Sequence, residues 1–285
     1  MTLDVVSFAG HSGVRLGDGA GSVIVTTSVG PRVIGLFGRE DNLFAEVPDE
    51  GLDCPGVGRF RFVGGHRLWA APEVPEITYQ PDALPCAVIE VSDGVRVEAP
   101  PDGAGLVKSI QVRRTAEGWT VDHEIGNAAG SRMVVAPWAI TQLRPGGEAV
   151  CPDPPRGAGP QADRSVVFWP YTDPADPRLR HTSDALTISA GPGDPLKVGV
   201  APGDGRMSYR LDGQVFGKRV DVDPDGAYPD RGAALQVYAC DAFCELETLG
   251  FLRTLEPGET ASHRERWTLS LDTDHARSTA AQEER

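Results

Sequence analysis

Residues Gly64-Gly65-His66-Arg67-Leu68-Trp69-Ala70-Ala71-Pro72-Glu73 form the stretch around which the rest of the chain is read. Two adjacent glycines let the backbone take positive φ or approach another group closely. His66, Arg67 and Trp69 then supply a titratable group, a forked cation and a flat apolar face. Such a set suits a sugar: an indole covers the C–H face of a pyranose, and a guanidinium donates several hydrogen bonds to hydroxyls or an acid group. A Gly-Gly turn beside a packed Trp and a surface ion pair is the competing reading, and the stretch alone leaves both open.

The flanks decide the fold class. Upstream, residues 4–7, 14–16, 22–27 and 32–37 are short β-branched runs cut by Gly-rich turns, the pattern of a meander. Downstream, residues 76–79, 86–91, 94–98, 106–114 and 119–125 alternate or run apolar at strand length, and most are separated by turn signals such as Asp93-Gly94 and Glu117-Gly118. Residues 127–131 read as a turn that pairs 119–125 with 133–143 as a hairpin. Further strands are expected at 165–171, 186–189, 196–200, 207–211, 235–238, 243–249 and 262–271, with a long polar, proline-rich span at 148–164. No segment holds a 3.6-residue period over three turns. The expectation is an all-β sandwich or barrel of antiparallel strands.

Composition agrees and removes several function classes. The 285 residues include 34 Gly and 24 Pro, scattered as many turns would scatter them. A formal net charge of -14 opposes binding to phosphate backbones, so nucleic acid is not an expected partner. No apolar run approaches the ~20 residues that span a bilayer, and the first ten residues lack a signal-peptide pattern, so a cytoplasmic protein with no membrane partner is expected. Lysine occurs only at Lys108, Lys197 and Lys218, which makes each one noteworthy. Cys54, Cys86, Cys151, Cys240 and Cys244 lack paired CxxC spacing and read as free thiols.

Two motif look-alikes fail on context. Residues 17–21, Gly-Asp-Gly-Ala-Gly, lack the helix and the closing Lys-Ser/Thr of a phosphate loop. Asp221, Asp223, Asp225 and Gly226 imitate a calcium loop, but Gly232 stands where its bidentate Glu is required. Neither metal nor organic cofactor is expected. Glu245 and Glu247 are more informative: two apart in a strand, they share one face. Such a like-charge pair raises one pKa toward the range of a general base, unless the face is a solvated acidic edge.

Taken together, Gly64 to Trp69, the Trp-centred strand at 136–143 and the late Leu246-Glu247-Thr248 strand resemble the galactose mutarotase-like superfamily, in particular a bacterial branch with GGHRLW and ELETLG motifs. The resemblance spans roughly residues 23–271. It implies one supersandwich domain over residues 1–271 with a sugar cleft on its concave sheet, followed by a polar, disordered tail at 272–285. It also implies aldose 1-epimerase-like chemistry, in which a Leu-Glu-Thr glutamate takes the anomeric proton while a histidine protonates the ring oxygen. Glu247 matches that glutamate. Where the family strand carries an Asn-His-Ser/Thr-Tyr element, this chain reads Pro137-Trp138-Ala139-Ile140-Thr141-Gln142, so Trp138 or a neighbour replaces the histidine.

The resulting expectation is a carbohydrate-binding protein resembling aldose 1-epimerases. Glu247 is its base, and His66 or His181 its acid. Arg67, Trp69, Trp138, Gln142, Glu245 and Lys218 bind a sugar or sugar derivative, with Lys218 either meeting an acid group on the ligand or pairing with Asp221 to Asp225. The alternative is a carbohydrate-binding protein without catalysis, in which Trp138 fills the place of the missing acid.

Overall fold

Gly64 and Gly65 lie inside a strand, Gly58–Ala71, and fold it back on itself. The rings of Phe60 and Trp69 are 5.1 Å apart, although nine residues of straight strand would separate them by about 30 Å. The glycines adopt φ of 104° and 70°. A Cβ on Gly64 would sit 1.9 Å from the Ala45 carbonyl oxygen, and one on Gly65 2.2 Å from that of Val33. Only glycine fits both the conformation and the space. The first arm of the bent strand pairs with Glu46–Cys54, and the second continues between Arg32–Phe37 and Met133–Leu143.

The chain is seen in a computed structural model that describes residues 3–271 except 20, 155, 156, 158, 161 and 202. The tail expected at 272–285 lies outside the described residues. Two large antiparallel sheets face each other. The centre of the first runs Gly58–Ala71, Met133–Leu143, Cys244–Leu249, Leu235–Ala239, Leu196–Ala201. The centre of the second runs Gln214–Arg219, Thr260–Leu271, Gly118–Asn127, Leu106–Thr115. Leu68, Ala70, Leu246, Val198 and Val237 of the first sheet meet Val121, Ile125, Phe216 and Trp267 of the second in one apolar core. Alternate residues of the first sheet therefore point away from the core, onto its outer face.

Two expectations are corrected. Residues 119–125 and 133–143 do not form a hairpin, because they belong to different sheets and the turn between them crosses the sandwich. Asn127 fastens that crossing by donating from Nδ2 to the carbonyls of Ser131 and Leu255, both at 2.9 Å. Residues 76–79 are not a strand either. Pro75–Thr78 is a single helical turn, opened by a proline whose missing N–H costs nothing at that position.

A buried polar layer interrupts the core. Lys218 Nζ, with no exposure, pairs with Glu265 Oε1 at 2.7 Å and donates to Thr141 Oγ1 and the Leu246 carbonyl, both at 3.0 Å. His66 continues the chain, with Nδ1 2.8 Å from Thr141 Oγ1 and Nε2 2.7 Å from His123 Nε2. His123 Nδ1 donates to the His263 carbonyl, so its Nε2 accepts and His66 Nε2–H donates. Burial holds both imidazoles below their usual pKa, in keeping with neutral rings. Burial, the largest influence, would raise Glu265, but Lys218 and the neighbouring His66, His123 and His263 together outweigh it and hold the carboxyl well below its usual range.

Removing one member of this ion pair strands a buried charge. Lys218→Met should lower the free energy of unfolding by about 3–5 kcal/mol in urea titrations. Adding Glu265→Leu to that variant should recover much of the loss, since an apolar pair of similar volume avoids the desolvation cost.

Candidate functional site

The outer face of the first sheet collects the polar side chains that the core excludes. Arg67, Ile140, Glu247 and Gln236 stand in register across four neighbouring strands. The next row holds Gln142, Glu245, Tyr238 and Lys197. On the other flank, Trp69, Trp138 and Leu249 form a third row. Six of the residues expected from the sequence are thus brought together: Glu247, Glu245, Arg67, Trp69, Trp138 and Gln142.

Each charge on this face is paired. Arg67 Nη2 donates to Glu245 Oε1 at 2.9 Å, and its guanidinium carbon lies 4.2 Å from the centroid of the Trp69 ring and 5.2 Å from that of Phe62. The fold-back at Gly64 and Gly65 is what carries Phe62 over Arg67. Lys197 Nζ and Trp138 Nε1 both donate to Glu247 Oε2, each at 2.7 Å. The Lys197 ammonium also lies 4.5 Å and 4.8 Å from the ring centroids of Trp138 and Trp169, a double cation–π contact.

What the pairing leaves over is the stronger signal. Arg67 Nε and Nη1, Trp69 Nε1, both amide atoms of Gln142, Gln236 Oε1 and Glu247 Oε1 are buried without a hydrogen-bond partner among the described residues. Buried polar atoms are nearly always satisfied, so a cluster of orphans on one face is where a hydrogen-bonding ligand or ordered water would find partners. The mixture of donors and acceptors, walled by indoles, matches sugar hydroxyls and C–H faces.

The Glu247 carboxyl stands near the balance of its two protonation states at neutral pH. Burial raises its pKa and neighbouring Glu245 adds to that, while Lys197 and the Trp138 N–H hold it down, leaving it at about 7. Because Oε2 already accepts two hydrogen bonds, Oε1, the orphaned oxygen, is the one open to a proton.

Three expected residues lie elsewhere. His66 neighbours Arg67 in a strand and so faces the opposite way, toward His123 and the indole of Trp267, 4.8 Å between ring centroids. Lys218 belongs to the second sheet and meets Glu265, neither a ligand nor the Asp221 to Asp225 acids; Asp221 pairs with Arg266 instead. His181 sits at the far edge of the second sheet, with Nε2 3.2 Å from both carboxylate oxygens of Asp153. Neither His66 nor His181, the two residues expected to supply the acid, is placed beside Glu247. Sequence reading missed Lys197, Gln236 and Trp169 as members of the face. The scarcity of lysine and the aromatic density at 168–171 were their only signals.

Other groupings are less suited to a ligand. His66, His123 and Glu265 bring ligand atoms within 4.8 Å of one another. Their nitrogens share a proton at hydrogen-bond distance, and the adjacent Lys218 ammonium opposes a divalent cation. A cavity of about 490 Å³ opens beside His263, Arg113 and Tyr228. Its arginines are already engaged: Arg96 by Glu98 and Glu124, Arg113 and Arg264 by Asp122, Arg266 by Asp221.

The two facing antiparallel sheets share the β-sandwich fold of galactose mutarotase-like proteins of known structure. No family model and no curated protein matches the sequence. Solved structures match over nearly the whole chain. A candidate aldose 1-epimerase from Escherichia coli K12 superposes with a TM-score of 0.56 at 12% identity, covering 90% of this chain and 98% of its own. A candidate aldose 1-epimerase from Klebsiella pneumoniae gives 0.58 at 10% identity, covering 96% and 83%. A galactose mutarotase-like protein from Lactobacillus casei gives 0.52 at 9%, covering 90% and 100%. At these identities the likeness is one of fold. Among the described residues no helix is long and apolar enough to cross a membrane.

The raised pKa of Glu247 predicts a pH-dependent stability. Its folded value of about 7 lies above the ordinary 4.5, so its contribution is complete below pH 4.5 and is lost as the pH rises to 7. Relative to Glu247→Gln, the wild type should lose up to about 3 kcal/mol of unfolding free energy over that window. Urea titrations of both proteins at the two ends of the window provide the check.

Proposed function

We propose that the protein binds a carbohydrate on the outer face of the first sheet, and that Glu247 acts there as general base in the interconversion of sugar anomers. The convergence of orphaned buried donors and acceptors on that face carries the reading. Arg67 is matched by Glu245 and Lys197 by Glu247, and the Asp230 carboxylate accepts from Gln236 Nε2, so the balance of charge favours a neutral sugar over a uronic acid or sugar phosphate. Glu247 Oε1 meets the anomeric hydroxyl, Gln142 and Gln236 meet others, and the indoles of Trp69 and Trp138 wall the ring. Glu247 has no exposure, so access requires covering side chains to move aside. The two sheets act as one domain over residues 1–271, and five free cysteines favour work in the reducing cytoplasm.

A second reading, binding without catalysis, is favoured by one observation. His66, His123 and His263 are engaged between the sheets, His181 lies at the far edge and His11 neighbours Arg32 and Asp82, so among the described residues no imidazole lies beside Glu247.

Saturation-transfer NMR on neutral aldoses, uronic acids and sugar phosphates separates these readings when anomer exchange is followed in the same samples. Transfer to neutral aldoses and faster exchange are expected with wild type, with a loss of roughly 10²-fold or more in exchange for Glu247→Gln. Binding without acceleration would leave the non-catalytic reading. No transfer to any sugar would reject both.

A further inference from the structure

Among the described residues Glu247 has no imidazole partner, but it does have a proton donor in Lys197. Lys197 projects from Leu196–Ala201 onto the same face and reaches Glu247 across the intervening Leu235–Ala239 strand. Its side chain is only 6% exposed and is held between the Trp138 and Trp169 rings. Among the described residues the one oxygen its ammonium touches is Glu247 Oε2. An ammonium carries three N–H groups, so donors remain beyond that bond, next to the orphaned Oε1 of the same carboxylate.

Resting on the reading of Glu247 as base, we propose that Lys197 is the catalytic acid of this site and replaces the histidine that the superfamily resemblance leads one to expect. A cyclic aldose binds with its anomeric hydroxyl on Glu247 Oε1 and its ring oxygen toward Lys197 Nζ. These two oxygens share one carbon, so an acid and a base side by side reach both at once. Glu247 takes the anomeric hydroxyl proton, and the freed pair on that oxygen forms the aldehyde C=O. The bond from the anomeric carbon to the ring oxygen breaks, its electrons go to the ring oxygen, and that oxygen takes a proton from Lys197. After rotation about the neighbouring C–C bond, the hydroxyl attacks the other face of the aldehyde. It returns its proton to the Lys197 amine, and Glu247 returns its own to the new anomeric oxygen. Atoms and charges balance with no further reactant.

The surroundings favour this pairing. Both groups are ionised before the step and neutral after the first half, so no net charge is created in a buried place. The indole faces keep the ammonium from water without offering a competing acceptor oxygen. Tyr171 is the rival donor: it is half-exposed and close enough to interact electrostatically with Glu247, but no hydrogen bond joins them.

The test measures sugar binding by saturation transfer and anomer exchange by exchange NMR in the same samples, using glucose, galactose, mannose and xylose. Wild type is compared with Lys197→Met, Lys197→Arg and Tyr171→Phe. Lys197→Met should still bind sugar while exchange falls by roughly 10²-fold or more, and Tyr171→Phe should stay within about threefold of wild type. Lys197→Arg keeps the cation between the indoles and should bind, yet lose exchange like Lys197→Met, because a guanidinium does not release its proton near neutrality. That variant carries the test if Lys197→Met fails to fold. Exchange preserved in Lys197→Arg, lost in Tyr171→Phe, or absent from a sugar-binding wild type would overturn the proposal while leaving the binding reading intact. Absence of binding by the wild type would overturn both.

Discussion

The Lys218 ammonium ties the two sheets together, and the outer face depends on that tie. From the second sheet it reaches Glu265 on its own side and Thr141 and the Leu246 carbonyl on the other. Thr141 adjoins Gln142, and Leu246 lies between Glu245 and Glu247. The same two strands that the ammonium grips from behind therefore present the candidate site in front. A buried ion pair stabilises little in itself, but it fixes geometry when every partner is satisfied. Here Thr141 and His66 extend the grip to the strand of Arg67 and Trp69, so the layer behind the site spans the strands that form its centre.

Alternation along strands decides which residues cooperate. Glu245 and Glu247 could be placed on one face from spacing alone, and the structure puts both there with Arg67, Trp69, Trp138 and Gln142. The same rule separates His66 from Arg67, but it applies only once the segment is recognised as a strand. Gly64-Gly65 read as a turn, which left His66, Arg67 and Trp69 free to converge. In fact the glycines fold a continuous strand back on itself, and alternation resumes directly after them. Lys197 was legible only as a rare lysine, because its contact with Glu247 spans 50 residues and arises from strand pairing across a third strand. The all-β class was legible for a different reason: many short alternating runs with turn residues between them exclude helices without any knowledge of pairing. Pairing itself was not legible, as the failed hairpin of 119–125 with 133–143 shows.

All three lysines are buried against carboxylates: Lys108 with Asp102, Lys197 with Glu247 and Lys218 with Glu265. The two on the central strands divide the work by face. Lys218 meets a carboxylate held in its ionised form and has a structural part, whereas Lys197 meets one whose proton is poised near neutrality. The difference follows from the neighbours. Glu265 faces Lys218 and three histidines that lower its pKa, while Glu247 shares its face with Glu245 and, among the described residues, keeps an oxygen without a hydrogen-bond partner.

The most direct measurement of this account is a crystal structure of the protein with a neutral aldose bound. The account predicts the pyranose on the outer face of the first sheet. Its anomeric hydroxyl should lie on Glu247 Oε1, its ring oxygen toward Lys197 Nζ and other hydroxyls on Gln142 and Gln236. A sugar seated instead in the cavity beside His263 and Arg113, with the Glu247 face still closed, would contradict it.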